Sequence, residues 1–172
     1  MTGDGQARPK PGQGASPGIW PASPLRTVRL TKQLRLNLER LVQVQQTPRG
    51  GTLFGRRQDE ELHIEYLLPS GPRAQDVGEA GLFHENVSFL LGTVAAMSVV
   101  TPGLSWQGYG LSLPRGWPYN RETLDARVRE AGAHGLIDDA RPLLVVSQVE
   151  AVVQVAAYVL RDGQVAEVPV CP

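Results

Sequence analysis

The chain has a single cysteine, Cys171, one position before its last residue. That excludes an intrachain disulfide and a cysteine-built zinc site, and a reducing cytoplasm fits best. Net charge is missing too: 17 Lys and Arg balance 17 Asp and Glu. No overall field holds the protein on nucleic acid or an anionic membrane, so neither is expected as a partner. No stretch approaches the roughly 18 consecutive apolar residues of a membrane span. The opening "MTGDGQARPKPGQGASPGIWPASP" also lacks the apolar segment of a signal peptide. These absences predict a cytoplasmic protein. Histidine is scarce: His63, His84 and His134 are widely separated, and none has a second histidine at ligand spacing.

What is present suits one domain. At 172 residues and 41% hydrophobic composition the chain can fill one sizeable core. Residues 1–26 are rich in Gly, Pro and Ser and nearly devoid of apolar side chains. Ordering them costs more entropy than burial returns, so a disordered arm is expected there, with Trp20 either an anchor or an incidental aromatic. The folded domain is expected over 27–172.

From Thr27 the patterns become regular. "TVRL" reads as a strand. "TKQLRLNLERLVQVQQ" offers Thr31 as an N-cap and a helical stripe through Leu34, Leu38, Leu41, Val42 and Val44, though the alternation of Leu34, Leu36 and Leu38 also fits a strand. "GGTLFG" and "ELHIEYLLP" read as paired strands joined by the charged turn "RRQDE", and "SGPRAQDVGEAG" as a loop. "HENVSFLLGTVAAMSVV" is the most apolar helix candidate and is expected to be largely buried, with "TPG" ending it. "LSWQGYGLSL" is a strand, and "RETLDARVREAGA" a helix with Leu124, Val128 and Ala131 on one face. "PLLVVS", "VVQVAAYVL" and "VAEVPV" are strands, the last two joined by the hairpin signal "RDGQ". The order predicts an α/β fold with a mixed central sheet flanked by helices.

Common catalytic signatures are missing. "GTLFG" and "GEAG" carry no Gly-Lys-Ser/Thr, so a phosphate loop is unsupported. "GLSW" and "GLSLPRG" lack the strand-turn-helix setting of a nucleophile elbow. Asp138 and Asp139 are adjacent in a polar turn, where carboxylates are usually solvated. His63 shares a strand face with Glu65, as a polar contact on an exposed face would. His84 precedes the apolar helix in its capping region, and His134 follows a helix end, where a donor suits exposed carbonyls.

One stretch stands out: "GYGLSLPRGWPYNRETLD", 108–125, preceded by "GTLFG" at 51–55. Together with the element order, it resembles the JAB/MPN domain of the JAMM zinc isopeptidases, over roughly residues 27–170. The fold implied is the cytidine-deaminase-like JAB/MPN architecture. In active members a glutamate precedes a G-x-x-x-G strand. A later strand ends in His-x-His-Pro, and a Ser-x-x-Asp follows. The two histidines and the aspartate hold zinc, and the glutamate is the general base.

Carried onto this chain, Gly51 and Gly55 match the first strand, with Pro48 at the base position. Gly108, Ser112 and Pro114 match the second, with Leu111 and Leu113 where the zinc histidines stand. "ETLD" retains Asp125 but has Glu122 for the serine, and it needs one extra loop residue. Zinc needs directed lone pairs, typically from three protein ligands. Leucine has none, proline takes no proton, and a zinc-free water keeps a pKa far above 7. Period two on a strand puts Leu111 and Leu113 on one face, where they would fill the former metal cleft.

The resemblance therefore implies an inactive member with no catalytic residue, no metal ligand set and no cofactor, acting as a protein-binding or scaffold module. Its partners would be a ubiquitin-like protein, an E1-like or E2-like protein, another MPN domain or a second copy in a homodimer. Bacterial members occur beside such proteins, the PRTRC cassette, a ParB- and ThiF-related gene system, among the settings. The candidate binding residues are Tyr109, Leu111, Ser112, Leu113, Trp117 and Asp125. Trp106, Tyr109, Trp117 and Tyr119 either wall a groove that takes an extended tail by β-augmentation, as the resemblance implies, or Trp106 is core and Trp117 covers it. The rival classes are a metallo-isopeptidase with unusual ligands, Asp125 with His63 or His84, and an unrelated α/β domain with an accidental motif match.

Overall fold

Thr31 decides how the first helix begins. Its hydroxyl accepts a hydrogen bond from the Leu34 amide at 3.2 Å, and α1 (Lys32–Val44) buries Leu34, Leu38 and Val42. That four-residue spacing is one helical face. Leu36, which strand alternation would put beside Leu34 and Leu38, is exposed instead, so the helical pattern prevails. Asn120 does the same for α3 (Arg121–Ala133): its side chain accepts from the Thr123 amide at 2.8 Å. Leu124, Val128 and Ala131 form the buried face, as their spacing predicts.

The computed structural model describes residues 23–69, 87–117 and 120–171. Between the helices run β1 (Thr27–Leu30), β2 (Arg49–Gln58), β3 (Glu61–Pro69), β4 (Ser105–Ser112), β5 (Leu143–Val149), β6 (Val152–Arg161), β7 (Gln164–Val168) and β8 (Val170–Cys171), with α2 (Val87–Val100) between β3 and β4. They form an eight-stranded sheet in the order β7-β6-β5-β4-β2-β3-β1-β8. The pairs β4–β5, β1–β3 and β1–β8 are parallel, and the remaining pairs antiparallel. Parallel neighbours need a crossover, and α3 is the crossover from β4 to β5. The fold is mixed α/β with one mixed sheet.

Each face of the sheet carries its own core. On one, Leu34, Leu38 and Val42 of α1 pack with Val28, Leu53, Leu62, Ile64, Leu144 and Val146. On the other, Leu124, Val128 and Ala131 of α3 pack with Tyr109, Leu111, Leu143, Val145 and Tyr158. Period-two alternation along β5 sends Leu143 and Val145 to the α3 side and Leu144 and Val146 to the α1 side, so this strand is buried on both faces.

Four expectations need correction. Residues 23–26 belong to the folded body rather than the arm. Leu25 is fully buried, its amide donates to the Asp139 carbonyl at 3.1 Å, and Arg57 and Arg161 bond the carbonyls of Ser23 and Leu25. Secondly, α2 is not buried: Leu91, Val99 and Val100 are 63%, 81% and 77% exposed. Apolarity on every side gave the helix no preferred face to bury. Thirdly, β2 runs on through Arg56, Arg57 and Gln58, so the turn shrinks to Asp59 and Glu60. Lastly, Pro169 breaks "VAEVPV" into β7 and β8, and β8 leaves β6 to pair parallel with β1. The loop 70–81, Trp20 and His84 lie outside the described residues. Among those described, no helix is long and apolar enough to cross a membrane.

Candidate functional site

The two glycine-bearing stretches singled out in the sequence are neighbours in the sheet. β2 and β4 pair antiparallel with Gly51 opposite Gly110, Gly50 opposite Leu111 and Arg49 opposite Ser112. Close backbone approach explains two of the glycines. A Cβ on Gly55 would lie inside van der Waals contact of the His63 carbonyl, and one on Gly108, at φ 143°, would collide with the Pro142 carbonyl. Gly108 brings the β5 entry against β4, and Tyr109 N–H then donates to the Pro142 carbonyl at 3.0 Å.

Above Gly108 the side chains alternate. Tyr109, Leu111 and Leu113 face α3 and are buried with Leu124, Val128 and Leu136. Leu113 lies one position past β4, yet its amide continues the ladder to the Val146 carbonyl at 2.8 Å. Ser112 faces the other way, buried, and donates to Gln45 Oε1 at 2.8 Å and to the Arg49 carbonyl at 3.3 Å. Four of the six candidate residues are thus interior, where a partner at the surface does not touch them. Asp125, on α3, is 32% exposed, and its Oδ1 lies 3.0 Å from Arg121 Nε. The distance fits an ion pair, but the angle makes no hydrogen bond, since Oδ1 has no aligned donor.

The aromatic groove does not form as expected. Trp106 stands at the start of β4, where its Nε1 donates to the Gly108 carbonyl at 2.9 Å and Arg141 lies 4.6 Å over its ring. Trp117 stands past the other end, half-buried against the α3-side core. Eight strand residues at about 3.3 Å each keep the two indoles apart. Tyr119 lies outside the described residues. Strand addition at β4 is also closed: Tyr109–Ser112 pair with β5 on one edge and with β2 on the other.

Trp117 instead walls a cleft of about 370 Å³ at the carboxyl ends of β4 and β5, with Pro114, Arg115, Ser147, Gln148 and the β5–β6 hairpin tip Val149–Ala151. Ser147 is the residue that the sequence reading missed. The signal was a serine at the end of the apolar run "LLVVS", followed by a two-residue turn containing no glycine. Trp106 borders a second cleft, of about 360 Å³, with Arg57, Asp138 and Arg141.

The remaining titratable groups are engaged in structure. His63 Nε2 lies 2.5 Å from Glu61 Oε1, while Glu65, its other neighbour on that face, takes Arg56 Nε at 2.8 Å. The Arg29 hydrogen bond, helped by His63 and opposed by some burial, holds the Glu61 carboxyl below its ordinary range. Asp138 is a loop clamp rather than a solvated carboxylate: Oδ1 accepts the Ala140 and Arg141 amides at 2.9 and 2.7 Å, and Oδ2 takes the Arg141 guanidinium. Burial pushes its pKa up, but those hydrogen bonds and the Arg141 charge outweigh burial and hold it below the ordinary value. Among the described residues no three His, Cys, Asp or Glu side chains come together as metal ligands would.

A solved structure resembles this arrangement. The solution structure of protein DSY2949 from Desulfitobacterium hafniense is similar with a TM-score of 0.57, at 15% identity over 84% of this chain and 91% of that chain. At that identity the likeness carries the fold alone. No family model matches the chain, and no curated protein matches it.

Proposed function

We propose that this chain is a catalytically inactive JAB/MPN-like domain that serves as a protein-binding or scaffold module in a bacterial ubiquitin-like system. The observation that carries the reading is the burial of Leu111 and Leu113 on the α3 face, at the two positions where the resemblance puts zinc-binding imidazoles. Two further features support it. The β2–β4 register sets Gly51 opposite Gly110, the adjacency the motif match requires. Pro48 at the base position accepts no proton. A carboxylate alone, Asp125, is too small a ligand set for zinc. The partner is a ubiquitin-like, E1-like or E2-like protein, another MPN domain or a second copy of the chain.

Metal analysis of the purified protein and incubation with a ubiquitin-like fusion test this. No stoichiometric zinc and no cleavage are expected. About one zinc per chain, lost in Asp125→Ala, overturns the reading in favour of a metallo-isopeptidase. Affinity capture from the native host with Trp117→Ala as control then locates the binding face.

A further inference from the structure

We infer that the segment preceding the folded body turns back on it, and that Trp20 seats its indole in the cleft at the amino end of β4, against the Arg141 guanidinium and beside Arg57. The cleft is filled in cis, by residues 19–21 of the same chain. The inference goes beyond the scaffold reading and does not rest on it.

The point where the segment joins the body carries the argument. The carbonyl of Ser23, the first described residue, accepts from the Arg57 guanidinium. That guanidinium also holds the Ala140 carbonyl, and Arg57 and Ala140 are both walls of this cleft. The approach has a direction. Arg26 and Pro24 line a different cleft, with Val168 and Pro169, whereas Ser23, one residue further back, has already reached Arg57. Residues 1–22 therefore leave the body at the rim of the cleft that Trp106 and Arg141 border.

Reach and tethering decide the occupant. Three residues separate Trp20 from Ser23, a span of up to about 10 Å. A volume of about 360 Å³ is about 7 Å across if taken as a cube, so that span brings every part of it within range. Only residues 20–22 have to be ordered, because Ser23 is already held. A side chain on so short a tether has an effective concentration on the order of millimolar, at which a contact of millimolar affinity is about half populated. A free partner with the same contact needs millimolar concentration to compete.

The walls suit an uncharged aromatic. Asp138 and Asp139 balance Arg57 and Arg141 in charge, and residues 11–23 carry no charged side chain. Trp20 is the one aromatic among residues 1–22. Arg141 lies 4.6 Å over the ring of Trp106 and is held in place by Asp138. A planar guanidinium stacked on one indole has a second face for another. Burial lowers the Arg57 pKa, against the pull of Asp138, Asp139 and Glu60. A cation partly out of water attracts an aromatic face more strongly than a solvated one.

Fluorine NMR of the full chain labelled with 5-fluorotryptophan tests this, since the three tryptophans give three resonances. Trp20→Ala removes one of them and is expected to shift the Trp106 resonance while that of Trp117 stays. In the unsubstituted chain the Trp20 indole N–H is expected to exchange with water about twofold more slowly, or slower still, than in a free peptide of residues 14–23, the factor that half occupancy gives. The same peptide, added at millimolar concentration to the Trp20→Ala chain, should move the Trp106 resonance back. None of these shifts should change over a tenfold range of protein concentration. Should Trp20→Ala disturb the fold, the exchange rate in the unsubstituted chain still decides. A Trp106 resonance indifferent to Trp20→Ala, exchange as fast as in the peptide, or amide shifts confined to α2 overturns the inference. Dependence on protein concentration overturns it too, and gives Trp20 to a second copy of the chain. No outcome involves zinc, cleavage or a captured partner, so this inference and the scaffold reading fail separately.

Discussion

The Ser112 hydroxyl donates to Gln45 Oε1 at 2.8 Å, joining the last residue of β4 to the residue that caps the end of α1. Both side chains are buried, and Gln45 Nε2 has no partner among the described residues. Ser112→Ala therefore strips Gln45 of the one side-chain hydrogen bond it makes among the described residues and should cost about 1–3 kcal/mol in denaturant unfolding. Gln45→Met should cost less, because Ser112 keeps the Arg49 carbonyl at 3.3 Å. The double variant should be less destabilised than the sum of the two. Additive losses would show that the pair is not coupled.

Leu111 is buried to 1% and Leu113 to 7% exposure, and both pack with the α3 face. Leu111 has Gly50 and Val145 as its strand neighbours, so the backbone there has little freedom to collapse into a void. Leu111→Ala should lower stability by about 2–5 kcal/mol, and Leu113→Ala, beyond the strand end, by less. Equilibrium unfolding of both variants checks the order. A negligible cost for Leu111→Ala would mean that Leu111 is not a packed part of the α3-side core.

Elements whose signals are local were legible in the sequence. Thr31 as an N-cap, the Leu124, Val128 and Ala131 face, and the turn at Asp162 and Gly163, both at positive φ, needed only their immediate neighbours. Features set by distant contacts were not. Nothing in "VSFLLGTVAAMSVV" says what lies beside it, and Val99 and Val100 end up exposed. Leu25 joined the core because Asp139 and Arg161 reach its backbone from across the chain. Strand period puts Leu111 and Leu113 on one face, whereas Trp106 and Trp117, near in sequence, stand at opposite ends of β4, a separation that only the length of the strand reveals.

Asp138 makes the acid limb of stability testable. Burial pushes its carboxyl up, but hydrogen bonds from the Arg141 side chain and from the Ala140 and Arg141 amides outweigh it and hold the group below the ordinary aspartate range. A depressed folded pKa means that the unfolded chain binds the proton first, so the stabilisation is fully present above about pH 4 and is lost as pH falls through the folded value. Asp138→Asn keeps an acceptor for the two amides but not the charge facing Arg141. Its thermal midpoint should lie below that of the parent at pH 7, with the gap closing as pH drops below about 4. A gap that stays constant through this range would assign the Asp138 contribution to hydrogen bonding alone. Glu61, also depressed, titrates in both proteins and cancels in the comparison.

The β5–β6 hairpin turns on Glu150 and Ala151 at φ 58° and 125°, between the paired residues Val149 and Val152. Two-residue hairpins favour Asn-Gly at these positions because both central residues take positive φ. An alanine so far into that region carries steric strain that glycine relieves, while glycine also loosens the unfolded chain. At 125° the first effect should win, and Ala151→Gly should raise stability by about 1 kcal/mol, within the range that strained φ/ψ costs. Equilibrium unfolding in denaturant checks this, and an unchanged or lowered stability in Ala151→Gly would show that the turn carries no strain.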